Sequence, residues 1–372
     1  MANSNLTKAK KAKNDEFYTQ YSDIEKEISA YLEYDADVFR GKVVYCNADD
    51  PFESNFFRYF VLRFHDLGLK QLITTSFKPS PVANTQIGLF GDDVTLEPVK
   101  GRPKVNANKF IINEVGDVDG DGQFNLKDVA LQLQQNKNNE WEPLEGDGDF
   151  RSDECIELLK RSDIVVTNPP FSLFREYVNQ LFDYNKKFVI IGSMNALKYA
   201  NIFPLIKDNK IWLGVSNGAK TFIKPDKSEQ KMGNTCWFTN LDHGRRHQPL
   251  SLMSEVDVIK FVTKKPFNEY DNYKAIEVRQ VKHIPGDYEG MMGVPISFLD
   301  KYSPDQFEII GLGQGSLYRE LTPLGLSKDF VNNYYENGGT GAISENHPIL
   351  GYYNDEGKAT IPFMRIIIRH KK

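Results

Sequence analysis

Asp163-Ile164-Val165-Val166-Thr167 runs straight into Asn168-Pro169-Pro170-Phe171 near the middle of the chain. The first five residues form a short apolar, β-rich run, the pattern of a buried strand. Two prolines then stop it, because each lacks an N–H and holds φ fixed. A rigid, non-helical tip at the carboxyl end of a strand results. Ligands of open α/β sheets bind along that edge. The tip offers a side-chain amide, carbonyls beside nitrogens that cannot donate, and a flat aromatic. Those are the parts needed to hold a planar amine.

Working outward, short apolar runs alternate with helical periodicity from residue 15 onward. Strands are expected at 42–46, 71–75, 109–112, 163–167, 187–191, 210–214 and 235–239. Helices are expected at 22–32, 55–67, 152–161, 172–182 and 200–207. This alternation predicts an α/β domain, a mostly parallel sheet with helices on both faces. Near residues 241–243 the alternation gives way to a Gly-, Pro-, Tyr- and Asn-rich stretch with shorter apolar runs. Three segments follow: a flexible basic arm at 1–14, a catalytic domain at 15–242 with an insertion at about 82–145, and a C-terminal region at 243–372.

Bulk properties narrow the class. Of the 372 residues, 40% are apolar and 12% aromatic, enough for a sizeable core and unlike a disordered chain. Lys and Arg number 46 against 51 Asp and Glu, a net charge of −5. That argues against a coat protein that binds nucleic acid by charge alone, but it permits a basic groove on an acidic body. The cysteines Cys46, Cys155 and Cys236 form no CxxC pair and suit a reducing compartment. With no signal peptide and no stretch able to span a membrane, a cytoplasmic protein is expected. Its oligomeric state is left open.

Several further stretches can carry chemistry, each with a plain structural alternative. Phe17-Tyr18-Thr19-Gln20 precedes a helix; it can line a small-molecule pocket or simply cap and pack. Val43-Val44-Tyr45-Cys46 runs into Asn47-Ala48-Asp49-Asp50-Pro51, the first βα turn of the sheet. Acidic groups there suit ribose hydroxyls or an ammonium, whereas a pyrophosphate would want glycines. The alternative is an Asp-rich cap. Gly146-Asp147-Gly148-Asp149-Phe150 precedes a helix; Asp149 can accept from an exocyclic amine and Phe150 can flank a purine, or the stretch is a glycine turn. Asp117, Asp119, Asp121 and Asp128 match positions 1, 3, 5 and 12 of a calcium loop, with glycine at position 6. An acidic turn capping a helix is the alternative. The basic cluster at Arg245, Arg246 and His247 and the cationic tail from Arg365 can meet phosphates or lie on an ordinary surface. Asn337-Gly338-Gly339-Thr340-Gly341 follows no strand and opens no helix, so it reads as a surface loop.

The central tip fits one reaction especially well. The lone pair of an adenine amine is delocalised into the ring and is a poor nucleophile. Two N–H bonds, to the Asn168 amide oxygen and the Pro169 carbonyl, would turn that lone pair toward an electrophile. Phe171 would stack on the base. Inside a duplex the amine is out of reach, so the base must be flipped out.

The ordered set of motifs resembles a family. Phe17-Tyr18-Thr19 resembles the N-terminal cofactor motif of the gamma-ordered amino-methyltransferases, Asp149-Phe150 their third motif, and Asn168-Pro169-Pro170-Phe171 their catalytic motif. More narrowly, the chain is similar to the EcoRI-type adenine-specific DNA methyltransferases over 15–21, 43–60, 146–172, 188–192, 210–215, 292–298 and 304–307. The resemblance implies a Rossmann-like methyltransferase sheet, S-adenosylmethionine as donor, double-stranded DNA as partner, and a C-terminal α+β DNA-recognition region. It also implies a place in a restriction-modification system or as an orphan relative of one. Carried over, Phe17, Tyr18, Thr19, Asn47, Asp49, Asp50, Asp149 and Phe150 would face the cofactor, and Asn168 to Phe171 the target adenine. The first motif departs from the glycine-rich turn of most methyltransferases, and 82–145 and 312–360 match poorly. Two other functions fit parts of the sequence: methyl transfer to a protein glutamine, and a non-catalytic DNA- or calcium-binding module.

Overall fold

The computed structural model describes residues 18–47, 54–77, 107–134, 138–224 and 228–371. These residues divide into two compact units. The first runs to Leu197 and resumes over Leu213–His243; the second comprises Lys198–Trp212 and Gly244–Lys372.

The first unit is a mixed α/β structure. Its strands are β1 (Tyr18–Thr19), β2 (Val43–Cys46), β3 (Gln71–Thr75), β4 (Asn108–Ile112), β5 (Glu140–Pro143), β6 (Ile164–Thr167), β7 (Lys187–Ser193), β8 (Gly218–Ile223) and β9 (Glu229–Thr239). Along its main path the sheet runs β1-β8-β9-β7-β6-β2-β3-β4-β5. Helices α1 (Tyr21–Tyr34), α2 (Asn55–Leu62), α3 (Leu126–Gln134), α4 (Asp153–Arg161) and α5 (Phe174–Asp183) complete it.

The expected mostly parallel sheet needs correction. Only β3-β2-β6-β7, at the centre, pair in parallel. The neighbours on both sides, β4 and β5 on one flank and β9, β8 and β1 on the other, are antiparallel. Parallel pairing needs a crossover, which α5 supplies between β6 and β7; the short connection from β8 to β9 can only reverse the chain. The expected strand at 210–214 shrinks to Trp212–Leu213, and the helix expected at 55–67 ends at Leu62.

Side-chain alternation along the central strands feeds two layers. Val44, Cys46, Ile164, Val166, Val189 and Ile191 share a core cluster with Ile24, Ile28 and Tyr31 of α1 and Phe56, Phe57 and Phe60 of α2. On the other face, Phe238 of β9 meets Phe174 of α5 at 4.9 Å between ring centroids. Burial of so many large rings is the dominant favourable contribution. Local signals agree with the helices. Ser54 caps α2 through Phe56 N (3.0 Å), and α4 carries Asp153 and Glu154 in its first turn with Lys160 and Arg161 in its last.

The second unit holds a four-stranded sheet of β10 (Ile276–Glu277), β11 (Met292–Pro295), β12 (Phe307–Leu312) and β13 (Arg365–His370), ordered β10-β11-β13-β12. It has its own core, with Tyr270, Tyr318, Leu350 and Ile367 among its members. Among the described residues no helix is long and apolar enough to cross a membrane.

Candidate active site

β2 lies between β3 and β6, parallel to both, so the carboxyl ends of all three strands form one edge. Asn47 directly follows β2 and is 1% exposed. Its carbonyl accepts from Thr167 Oγ1 of β6 (2.5 Å), and its Oδ1 accepts from Thr75 Oγ1 of β3 (3.3 Å). Thr75 in turn bonds Tyr45 Oη (3.0 Å). The Asn47 Nδ2 is buried with no hydrogen-bond partner among the described residues. An amide donor without an acceptor there costs about 1–3 kcal/mol, so it is suited to receive one from a ligand.

Asn168 leaves β6 on the same edge. Pro169 is buried, and Pro170 (φ −55°) leads into a single 3₁₀ turn, Phe171–Leu173, before α5. The Pro170 carbonyl accepts from Leu173 N at 3.0 Å. Among the described residues, no hydrogen bond occupies the Pro169 carbonyl. The acceptor required for a planar amine is therefore left open.

The first motif reaches this edge through a strand that the sequence reading missed. Thr19 of β1 pairs in register with Phe222 of β8, and Phe222 meets Phe171 edge-on, 6.5 Å between centroids at 87°. The Thr19 carbonyl accepts from Asn55 Nδ2 at the start of α2 (2.8 Å). Its own Oγ1 is buried and has no partner among the described residues. Tyr18 lies opposite Ile223. Phe222, Thr75 and Asn55 thus join the site unpredicted. The paired Thr74-Thr75 at the end of β3 was one available signal; no strand was expected over β8. Phe17, Asp49 and Asp50 lie outside the described residues.

The Asp149-Phe150 turn is held against the end of β3. Gly148 has φ +77°, and a Cβ there would stand 2.0 Å from the Ser76 carbonyl oxygen, so only glycine permits the approach. Asp149 grips Arg151, through Nε at 2.9 Å and Nη2 at 2.7 Å, and Arg151 also reaches Glu176 at 2.9 Å. The bonds from the Arg151 guanidinium hold the Asp149 carboxyl below its usual range, burial notwithstanding. Phe150 is 3% exposed, its ring at 4.9 Å from that of Tyr177, and its carbonyl accepts from Gln180 Nε2 at 3.0 Å. Both residues are therefore engaged within the turn.

A family model described as adenine-specific methyltransferase EcoRI matches residues 5–371. The chain belongs to this family. Two curated relatives show the same kinship. The Type II methyltransferase M.EcoRI of Escherichia coli is 42% identical over 337 residues, 86% of this chain and 92% of that protein. The Type II methyltransferase M.MpnI of Mycoplasma pneumoniae is 36% identical over 323 residues, 82% and 84% of the two chains. No solved structure matches significantly.

Two other sets of candidate residues sit differently in this EcoRI-family methyltransferase. Carboxylate oxygens of Asp117, Asp119 and Asp128 lie within 4.8 Å of one another; Asp121 does not join them. Asp117 accepts from Gly120 N and Gly122 N, both at 2.7 Å, and Asp119 accepts from Lys127 Nζ at 2.7 Å. Asp128 accepts from Asn125 N (2.9 Å) while Asn125 Oδ1 accepts from Lys127 N (2.8 Å), a reciprocal cap on α3. Burial pushes the Asp128 carboxyl up, but bonds from Asn125, Val118 and Asp119 bring it below its usual range. Asp128 thus caps α3, and the family supplies no support for a calcium role.

The residues of the basic cluster each have a partner within the second unit. Arg246 is 7% exposed, stacked 3.6 Å above the Trp212 ring centroid and bonded to Asn209 Oδ1 (2.6 Å). Arg245 pairs with Asp300 at 2.7 Å and His247 with Asp305 at 3.2 Å. In the tail, Arg365 pairs with Glu277 (2.6 Å) and Arg369 with Glu308 (2.5 Å).

Proposed function

We propose that this adenine-specific methyltransferase transfers a methyl group from S-adenosylmethionine to the exocyclic N6 of a flipped-out adenine in double-stranded DNA. In this reading it is the modification enzyme of a restriction-modification system or an orphan relative of one. The observation that carries the proposal is the open Pro169 carbonyl beside Asn168 at the carboxyl edge of the parallel strands, with Phe171 alongside. Family membership supports adenine as the base, which sets aside a protein glutamine and a non-catalytic binding module.

The polar atoms at this edge fit the donor. Asn47 Nδ2 and Thr19 Oγ1 are buried and unpartnered among the described residues, suited to a ligand bearing carboxylate and ammonium groups. Asn47, Thr19 and Tyr18, with Phe17, Asp49 and Asp50 from the segments not described, are the proposed cofactor residues. Asp149 and Phe150 contribute by holding the turn beside β3. When bound, the cofactor supplies an electrophilic methyl group.

The rest of the chemistry belongs to the chain. Asn168 Oδ1 and the Pro169 carbonyl each accept one N–H of the adenine amine. These bonds aim its lone pair and stabilise the positive charge that develops on nitrogen as the N–C bond forms and the methyl–sulfur bond breaks, and the nitrogen then releases one proton to solvent. Phe171 stacks on the base and excludes water. The first unit is the proposed catalytic domain and the second the proposed target-recognition region. Incubation with methyl-labelled S-adenosylmethionine and unmethylated duplexes tests the whole. The expected result is label in DNA, recovered as N6-methyladenine; label in protein or RNA with none in DNA overturns it.

A further inference from the structure

The segment 253–265 of the second unit exposes an apolar and cationic surface that the catalytic reading does not use. Ser254 Oγ accepts from Asp257 N (3.1 Å) and caps the single turn Glu255–Asp257. The backbone then widens into a π-helix over Val258–Thr263 and closes at Lys264, whose φ of 60° is left-handed. Such widened turns are rare and concentrate at functional sites. Phe261 is 60% exposed, Val256 69% and Met253 39%. Three exposed apolar side chains within nine residues, in a unit with its own core, suit an interaction surface.

The charge around it points to the partner. Lys260 Nζ stands 5.0 Å from the Phe261 ring centroid, and Lys264 Nζ donates to the Lys260 carbonyl at 2.8 Å. No carboxylate pairs with Lys260 or Lys264 among the described residues. By contrast, Arg245, Lys265, Arg365 and Arg369 each have one. The two lysine contacts bring the Lys260 ammonium beside the Phe261 ring and the Lys264 ammonium onto the same π-turn. The acids of the segment are Glu255 and Asp257, and Asp257 Oδ2 accepts from Ser254 Oγ (2.8 Å). Unneutralised cations on a chain of net charge −5 complement a polyanion, and an adjoining exposed aromatic suits sugar and base surfaces.

We infer that this π-turn is a docking surface for duplex DNA, where Lys260 and Lys264 meet phosphates and Phe261 makes the apolar contact in the groove. The inference rests on the proposed DNA substrate and gives it a contact element other than the basic cluster at 245–247. Anisotropy with a fluorescein-labelled duplex of mixed sequence, titrated with the full chain over a salt series, tests it. Lys260→Ala/Lys264→Ala should flatten the dependence of log Kd on log salt by about 2. Phe261→Ala should weaken binding roughly tenfold with the slope unchanged. Thermal stability and calorimetric affinity for S-adenosylhomocysteine should match wild type in both. Wild-type Kd and slope in both variants would overturn the docking surface while leaving the methyltransferase reading intact. A wild-type chain that neither binds nor methylates the duplex would instead remove the DNA reading, and this inference with it.

Discussion

Asn168 carries the largest single expectation, because two acceptors close to the amine matter only as charge develops on it. Asn168→Ala should retain S-adenosylhomocysteine affinity and lower the single-turnover methylation rate by about 10²-fold or more. A variant with wild-type turnover would remove the role given to this side chain. Asp149 makes a different prediction, about pH. Its folded carboxyl is held low by Arg151, so its stabilising contribution is complete above the unfolded value of about 3.9 and fades as pH falls through the lower folded one. The stability difference between wild type and Arg151→Ala, read by urea denaturation, should therefore be constant at neutral pH and shrink below about pH 4. A gap that widens on acidification would contradict the pairing.

Among the elements, α3 shows how an acidic residue of a loop motif can serve as a helix cap. Asp128 serves as the N3 partner of Asn125 and gathers the Val118 and Asp119 amides (2.8 and 3.2 Å). Asp128→Ala should cost about 1–2 kcal/mol by denaturant titration, equally in chelator and in calcium. A calcium-dependent rise in wild-type Tm that Asp128→Ala abolishes would restore the metal reading. β8 teaches the converse. It brings Phe222 against Phe171 and opposite Thr19, residues about 150 positions apart in the chain, yet only its second half, Thr221-Phe222-Ile223, is of strand-forming type. Strand pairing, not propensity, makes it a strand.

For the whole molecule, each unit buries its own core, so unfolding should show two calorimetric transitions rather than one. Arg365 and Glu277 supply the test. Their guanidinium and carboxylate meet through three bonds, at 2.6, 3.0 and 3.1 Å, with Glu277 fully buried and also accepting from Tyr270 Oη. Arg365→Ala leaves that carboxylate buried and unpaired and should cost about 3–5 kcal/mol. One transition should fall while the other, and affinity for S-adenosylhomocysteine, stay in place. A uniform loss in both transitions would show that the units unfold together.

Local sequence determined the central strands, the helices that pack on them and the catalytic tip. Buried parallel strands are continuous apolar runs, and two adjacent prolines allow few alternatives to a stop. The ordered motifs also sufficed to point to the family. Tertiary structure alone decided the antiparallel flanks, the link from Thr19 through Phe222 to Phe171, and the fate of the charged residues. Arg245, Arg246 and His247 can be read as a phosphate site or an ordinary surface, and only the fold shows that Asp300, Asn209, Trp212 and Asp305 are their partners. Lys260 and Lys264, by contrast, meet no carboxylate among the described residues. A residue's type sets what it can bind, but only the fold determines which partners reach it first.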